Sequence, residues 1–445
     1  MEKAIIFLIL LLTILTAPPV DVPVFNVDLD GDAFHRWDQV LSNYNVEDLE
    51  SFVTLVKSIS PLLQSAYDSF WTSWLFNNTD YVFGTELSAE LNGVANYTGI
   101  AFKDIVEVNL IYELTAYCSI LVGYDQNHVP FISHNEDYSL GTSMLRKLVT
   151  RINFQKGGAT VFTGVTYAGL VGSRAVHKDG AFAIVQDQRD AGGNLSQNFA
   201  SLMTGGKPIF VLIRQAGEDC DNFSCAFDFL NNTQVGSPCY LGICGTQPNE
   251  GYVITRSHYQ SDIVNQTFDG TYDWYLYEGN SDLNTNPPPY DIRREVANNY
   301  MRVAEQSTWN TNSVFYFMNI YPIRKERTVW NIISVPNTSF VQVKVLECAP
   351  VYDPANQIID CTSCSPTCNQ GVCSEYQGKC SCNFGFSGDY CDVLDGYTPQ
   401  PTTESTSDKD NVARGISITS IVILSVVVTI LLVMIFKKSK KYDKI

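Results

Sequence analysis

"YCSILVGYDQNHVPFISHNED", residues 117–137, decides how the rest of the chain is read. "CSILVGY" and "VPFISHN" are rich in branched and aromatic residues and "DQN" between them is turn material, so the segment is expected to fold as a β-hairpin. With Asp125 to Asn127 as the turn, Tyr124 faces His128 and Cys118 faces His134; a one-residue change in the turn brings Asn135 there instead. Either register returns Asp137 to the backbone nitrogen of Cys118. Three readings of Cys118 stand side by side here: a nucleophile, half of a disulfide, or a small hydrophobe in a core strand. The first has a specific chemistry. If the chain is cut before Cys118, the new α-amine, with a pKa near ~7.7, is a general base for its own thiol, and a nearby carboxylate holds it in place.

The ends of the chain bear on the compartment. Residues 1–17, "MEKAIIFLILLLTILTA", read as a secretory signal peptide: a lysine near the start, an apolar stretch, then small residues. Residues 416–436 carry no charge over 21 positions, enough for a helix to cross a hydrocarbon layer of about 30 Å. Five lysines follow in the nine residues 437–445, which places that tail in the cytoplasm and the bulk of the chain in a lumen or outside the cell, as a single-pass type I protein. Sequons at Asn77, Asn96, Asn194, Asn222, Asn231, Asn265 and Asn337 agree with that side. The net charge of −18 makes an acidic surface that argues against nucleic-acid binding and loses self-repulsion in an acidic organelle.

Thirteen cysteines in an oxidising compartment leave at least one without a partner in the chain. Cys220 with Cys225, Cys239 with Cys244 and Cys348 with Cys361 are the obvious local pairs. Cys364, Cys368, Cys373, Cys380, Cys382 and Cys391, with Gly385 and Gly388 in the last loop, resemble an EGF-like module over 364–391. That resemblance implies pairs 364 to 373, 368 to 380 and 382 to 391, and a surface for a protein partner. Cys118 is then left over. Residues 348–363 are a connector, and 392–415, rich in Thr, Ser and Pro, are a stalk.

Residues 18–347 are the main globular part, of mixed secondary structure. In "NVEDLESFVTLVKSIS", Leu49, Phe52, Val53, Val56 and Ile59 share one helical face behind an Asn45 cap. "GATVFTGVTYAGLVG", "GAFAIVQDQ", "YVITR" and "FVQVKVLE" read as strands. "SFWTSWLF", residues 69–76, reads as a core helix or a lipid-facing patch. The five histidines form no ligand-spaced cluster and no glycine-rich phosphate loop precedes a helix, so neither a metal nor an organic cofactor is expected.

Residues 118–137 resemble the opening strand pair of the acid ceramidase and N-acylethanolamine acid amidase family, cysteine N-terminal-nucleophile hydrolases. Three further stretches are similar to segments of that family: "VPVFNVDLDGDAFHRWDQVL" (22–41), "YLGICGTQPNEGYVITR" (240–256) and "GNSDLNTNPPPYDIRRE" (279–295). The resemblance implies a four-layer αββα fold and self-cleavage after Tyr117 into an N-terminal segment, 18–117, and a catalytic segment, 118–347, that stay associated. It implies Cys118 as nucleophile, Asp137 orienting the amine, Asn280 as oxyanion donor and Arg293 in the polar network around the acyl site. His134 stands where the family usually has arginine, replacing a permanent charge by one that titrates. The implied substrate is a lipid amide at a membrane surface, ceramide first and N-acylethanolamine second; a non-enzymatic surface receptor with an inert hydrolase domain is the rival reading.

The terminal "YDKI" has the Tyr-x-x-apolar form of an endosomal sorting signal, which points to lysosomes rather than the cell surface. Tyr442→Ala is expected to raise the surface-biotinylated fraction; an unchanged distribution counts against the signal.

Overall fold

Strand β3, Tyr117–Tyr124, lies in the interior of the molecule and is buried on both faces. The computed structural model describes residues 20–59, 71–110, 117–138, 141–189, 195–266, 274–320, 322–325 and 327–346, with 371–374, 379–382, 386–387 and 393–394. The signal peptide, the Cys348–Cys361 pair, the stalk, the 416–436 span and the tail lie outside the described residues. Over the stretch expected to form an EGF-like module and just beyond it, two short antiparallel strand pairs are described, one of them setting Cys373 opposite Cys380. No helix among the described residues is long and apolar enough to cross a membrane.

A six-stranded sheet runs β1-β14-β13-β4-β3-β12. Its members are β1 (Val20–Asp21), β3, β4 (Pro130–Asp137), β12 (Tyr275–Glu278), β13 (Thr328–Val335) and β14 (Phe340–Val345). An eight-stranded sheet runs β11-β10-β9-β8-β7-β6-β5-β2. It contains β2 (Val24–Asp28), β5 (Val149–Lys156), β6 (Ala159–Tyr167), β7 (Ala175–Lys178), β8 (Phe182–Gln188), β9 (Cys239–Cys244), β10 (Gly251–Arg256) and β11 (Ser261–Gln266). Neighbours are antiparallel except β2 and β5. The four stretches read as strands from sequence fall on β6, β8, β10 and β14.

The alternation of β3 explains the layering. Cys118, Ile120 and Val122 belong to the core between the sheets, whereas Leu121 belongs to a second core with Phe131, Tyr277 and Ile333. The inner faces touch at Gly242, where an added Cβ would stand 2.8 Å from Ile120 and 3.0 Å from Ile132, so a larger residue there requires those side chains to shift. The second core is closed by α5, Arg293–Val303, and α6, Thr311–Met318, through Ala297, Met301, Val314 and Phe317. On the far side α3, Ile209–Asp219, and α4, Phe223–Asn232, cover the eight-stranded sheet. The layer order is helices, sheet, sheet, helices.

The hairpin forms with a longer turn than its sequence suggests. Asp125 Oδ1 accepts from the backbone of Asn127 at 2.7 Å and of Val129 at 2.9 Å, and His128 adopts a positive φ of 58°. Tyr124 therefore faces Pro130, and Cys118 faces Glu136 instead of His134. The slip is of two residues, so every side chain keeps its face and apolar alternation cannot detect it.

The segment before Cys118 is woven into both sheets: β1 pairs with β14 and β2 with β5. Helix α1, Val46–Ile59, buries Leu49, Phe52, Val53 and Val56 as its sequence face predicts, and Asn45 Oδ1 accepts from the Glu47 backbone at 3.0 Å. The aromatic run forms a helix over Trp71–Asn77 whose Leu75 is buried and whose Trp74 and Phe76 pack on the main core, so it is a core element. Cys220 and Cys225 are joined as expected. Cys239 and Cys244 are not joined to each other: they stand at opposite ends of β9, on opposite faces and roughly 16 Å apart at strand spacing. The cysteine count therefore does not single out Cys118. Of the described sequons, Asn265 is buried within β11, whereas Asn77, Asn96, Asn222 and Asn337 are exposed.

A buried ion network ties the early segment to the later one. Glu90, on α2 (Thr85–Thr98), accepts from Arg36 at 2.5 Å, from Trp37 at 2.7 Å and bidentately from Arg214 of α3 at 2.5 and 2.7 Å. Removing one member of such a cluster strands the others in low dielectric. Glu90→Ala is expected to cost about 3 kcal/mol in urea unfolding, because it removes the fully buried carboxylate the two guanidinium groups share and leaves them only the more exposed Glu86 and Glu218.

Candidate active site

Cys118 is the second residue of β3, and its side chain is a fully buried thiol. Two groups remote in sequence grip its main chain. Its N–H donates to Asn280 Oδ1 at 3.1 Å, and its carbonyl accepts from Arg293 Nη1 at 2.6 Å. Strand pairing explains the first contact: β12 runs antiparallel to β3 with Glu278 opposite Ile120, so two residues further on the chain reaches the level of Cys118. Asn280 turns there with a φ of 60°, a conformation that asparagine tolerates better than most residues.

Arg293 opens α5 and is held in place from several sides. Nε donates to Asp291 at 2.9 Å and Nη2 to a second Asp291 oxygen at 2.5 Å, while Nη2 also reaches Asn280 Oδ1 at 2.9 Å. Burial works against its charge, but Asp291 and the other anionic groups around it raise its pKa further above the ordinary arginine range. Asn280 has its amide oriented by partners on both ends. Oδ1 faces the two donors just named, and Nδ2 donates to Asp187 at 2.6 Å and to the Gln188 carbonyl at 2.9 Å. Its oxygen, not its amide nitrogen, is turned to Cys118, which differs from the oxyanion-donor arrangement that the resemblance implies.

Asp137 closes β4, opposite Tyr117. One oxygen accepts from Thr328 Oγ1 at 2.6 Å, and no donor among the described residues reaches the other. Burial pushes its pKa up to about 6, against the opposing pull of Arg293 and Thr328. The Cys118 thiol is pushed well above its ordinary range by burial first and then by the charges of Asp187 and Asp137, so it is a protonated thiol and requires a base to react.

His134 does not play the part its sequence position suggests. Its Nε2 lies 2.9 Å from Glu136, its ring sits 5.3 Å from that of Trp330, and burial followed by the Arg174 charge lowers its pKa to about 3. It is neutral throughout the physiological range. The permanent cation is Arg174, which forms an ion pair with Glu136, directly opposite Cys118, and lies 4.2 Å above the Phe210 ring. Nothing in the sequence near residue 174 announces this role, because the pair joins β4 to a loop nearly forty positions on.

The hairpin also gathers Cys118, His134 and Glu136 so that one donor atom from each lies within 4.8 Å of the others, a cluster that sequence spacing conceals. Arg174 already neutralises Glu136, and its charge opposes a second cation there, so the arrangement fits an ion-paired network better than a metal centre.

No protein-family model matches the chain. Over 318 residues it is 28% identical to the N-acylethanolamine-hydrolyzing acid amidase of Mus musculus, covering 70% of this chain and 85% of that protein. Over 335 residues it is 25% identical to the acid ceramidase of Homo sapiens, covering 70% and 83%. Its homologues are acid amidases and acid ceramidases. A solved structure of a Caenorhabditis elegans N-acylethanolamine-hydrolyzing acid amidase ortholog is 22% identical with a TM-score of 0.45, covering 49% of this chain and 93% of that one.

The site predicts a flat histidine titration. The imidazole resonances of His134 are expected to stay at their neutral positions from pH 8 to about pH 4.5, since its folded pKa is about 3. A midpoint near 6.5 in a histidine-selective NMR titration would contradict the buried Arg174 environment.

Proposed function

We propose that the chain is a self-processing cysteine amidase that hydrolyses lipid amides to a fatty acid and an amine. The observation that carries this is the grip on both peptide groups of Cys118 by Asn280 and Arg293, with the Asp137 carboxyl at the level of the bond to be cut. An inert core cysteine requires none of these.

In the precursor, Sγ attacks the Tyr117 carbonyl carbon, the C–N bond to Cys118 breaks, and the nitrogen leaves as an amine carrying the thiol's proton. Water then hydrolyses the Tyr117 thioester, yielding a carboxylate and restoring the thiol. The freed amine, still facing Asn280 Oδ1, takes the thiol proton in each later cycle, and ionised Asp137 holds the resulting ammonium. The thiolate adds to the substrate amide, the amine product departs with that proton, and water releases the acid. Because Cys118 is fully buried in the uncut chain, cleavage has to come before substrate entry.

The two fragments are expected to stay together, since β1, β2 and the Glu90 network cross the cut. The relatives' names divide between N-acylethanolamines and ceramides. The substrate class is therefore the lipid N-acyl amide, with these two as the substrates to assay side by side. The expected anchor at 416–436 would hold the site at a membrane surface on the lumenal or outer side.

Cys118→Ala is expected to yield one uncut chain with no hydrolysis, whereas N-terminal sequencing of the wild-type protein is expected to find a fragment starting at Cys118. Fragments and full activity in purified Cys118→Ala would overturn both roles of the thiol.

A further inference from the structure

We infer that Thr328 is a positioning residue: its hydroxyl fixes which oxygen of Asp137 is left for the α-amine of Cys118. The inference deepens the amidase reading and rests on it only for its kinetic test. Thr328 opens β13 opposite Asp137 of β4, and the register between the two strands then shifts, so that Trp330 faces Glu136. An irregularity of this kind re-aims the side chain beside it. The side chain here is a fully buried hydroxyl, 2.6 Å from Asp137 Oδ1.

Every hydrogen-bonding group of Thr328 has a partner, and together they fix the direction of its one side-chain proton. Its N–H donates to the Lys325 carbonyl at 3.1 Å, and its carbonyl accepts from Arg146 Nη2 at 2.9 Å. The Lys325 N–H donates to Thr328 Oγ1 at 2.9 Å. A backbone N–H can only donate, so Oγ1 accepts there and its own hydrogen goes to Asp137 Oδ1. The reverse arrangement, a protonated Oδ1 donating to Thr328, would strand the hydroxyl hydrogen, which has no second acceptor among the described residues. Oδ1 is therefore held as an acceptor. Any proton that Asp137 carries sits on Oδ2, which no donor among the described residues reaches. Once ionised, Oδ2 is the oxygen open to the amine freed at Cys118.

The charged and titratable groups around Asp137 are Cys118 from β3, Asp187 from β8, Arg293 from α5, and Lys325 and Arg327 from the segment before β13. Burial raises Asp137 to about 6, while Arg293, the Thr328 hydroxyl, Lys325 and Arg327 pull it down. Removing the hydroxyl takes away one downward pull, so the carboxyl ionises only at higher pH and the amine is held only there.

The first test uses the full chain carrying Cys118→Ala, which needs no catalysis. It follows the Asp137 carboxyl carbon by NMR, assigned through its loss in Asp137→Asn. The midpoint is expected to rise by about one pH unit when Thr328→Val is added, the effect of one hydrogen bond to a charged group, and to stay in place with Thr328→Ser. Valine keeps the shape of threonine, and thermal melts check the fold of each variant. In the processed enzyme, the acid limb of kcat/KM for N-acylethanolamine or ceramide should move to higher pH by the same amount in Thr328→Val, with activity recovered as pH rises, and stay at the wild-type position in Thr328→Ser. A midpoint unmoved by Thr328→Val, or a serine variant that behaves like the valine one, would overturn the proton assignment. A raised midpoint with an unmoved acid limb, or a folded Thr328→Val chain inactive at every pH, would overturn the positioning role. Absence of amide hydrolysis by the wild-type protein, with both titrations as expected, would count against the amidase reading and leave the Thr328–Asp137 assignment standing.

Discussion

The polar centre of the structure depends on one constraint: both peptide groups of Cys118 are committed to side chains from outside its hairpin. The N–H to Asn280 and the carbonyl to Arg293 hold this residue at the seam where β3, β12 and the start of α5 meet. Each partner is itself pinned, Asn280 by Asp187 and Gln188, Arg293 by Asp291. Polar groups buried at this depth persist only when nearly all of their hydrogen-bonding capacity is used, and such interlocking leaves the main chain of Cys118 little freedom. The bond before Cys118 is thereby presented in one geometry.

Charge is distributed with the same economy. Glu136, Asp137, Asp187 and Glu278 are all fully buried around Cys118, a concentration of acid that burial alone would forbid. Each is handled differently. Glu136 pairs with Arg174, Asp137 accepts from Thr328 with its pKa raised to about 6, Asp187 accepts from Asn280 Nδ2, and burial pushes the Glu278 carboxyl well above its ordinary range. His134, neutral beside Glu136, completes the set. The sheet interior thus combines acids in different protonation states, the condition under which one buried site serves a proton-transfer reaction near or below neutrality.

Much of the fold and part of the site are legible in the sequence. The two strands, the helical face of α1, four further strands and the Cys220–Cys225 bond follow from local pattern, because periodicity records which side of an element is buried. Register was not legible: the Asp125 side chain captures two backbone donors and lengthens the turn, and an even slip leaves the pattern unchanged. Cys239 and Cys244 misled for a related reason. Proximity in sequence suggests a bond, but an extended strand carries the two sulfurs apart.

The sequence by itself determined the hairpin, the helical face of α1 and four further strands, because each is recorded in local pattern, and a family resemblance pointed from there to a layered fold and to Cys118, Asp137, Asn280 and Arg293. Only the tertiary structure decided which atoms meet. It turned the oxygen of Asn280 to the Cys118 nitrogen and its amide nitrogen to Asp187, set Arg174 against Glu136 and silenced His134. These pairings cross between the sheets or reach in from loops, and their energies depend on burial, which no short window of sequence encodes: a carboxylate or an imidazole acquires its charge state from what is packed around it.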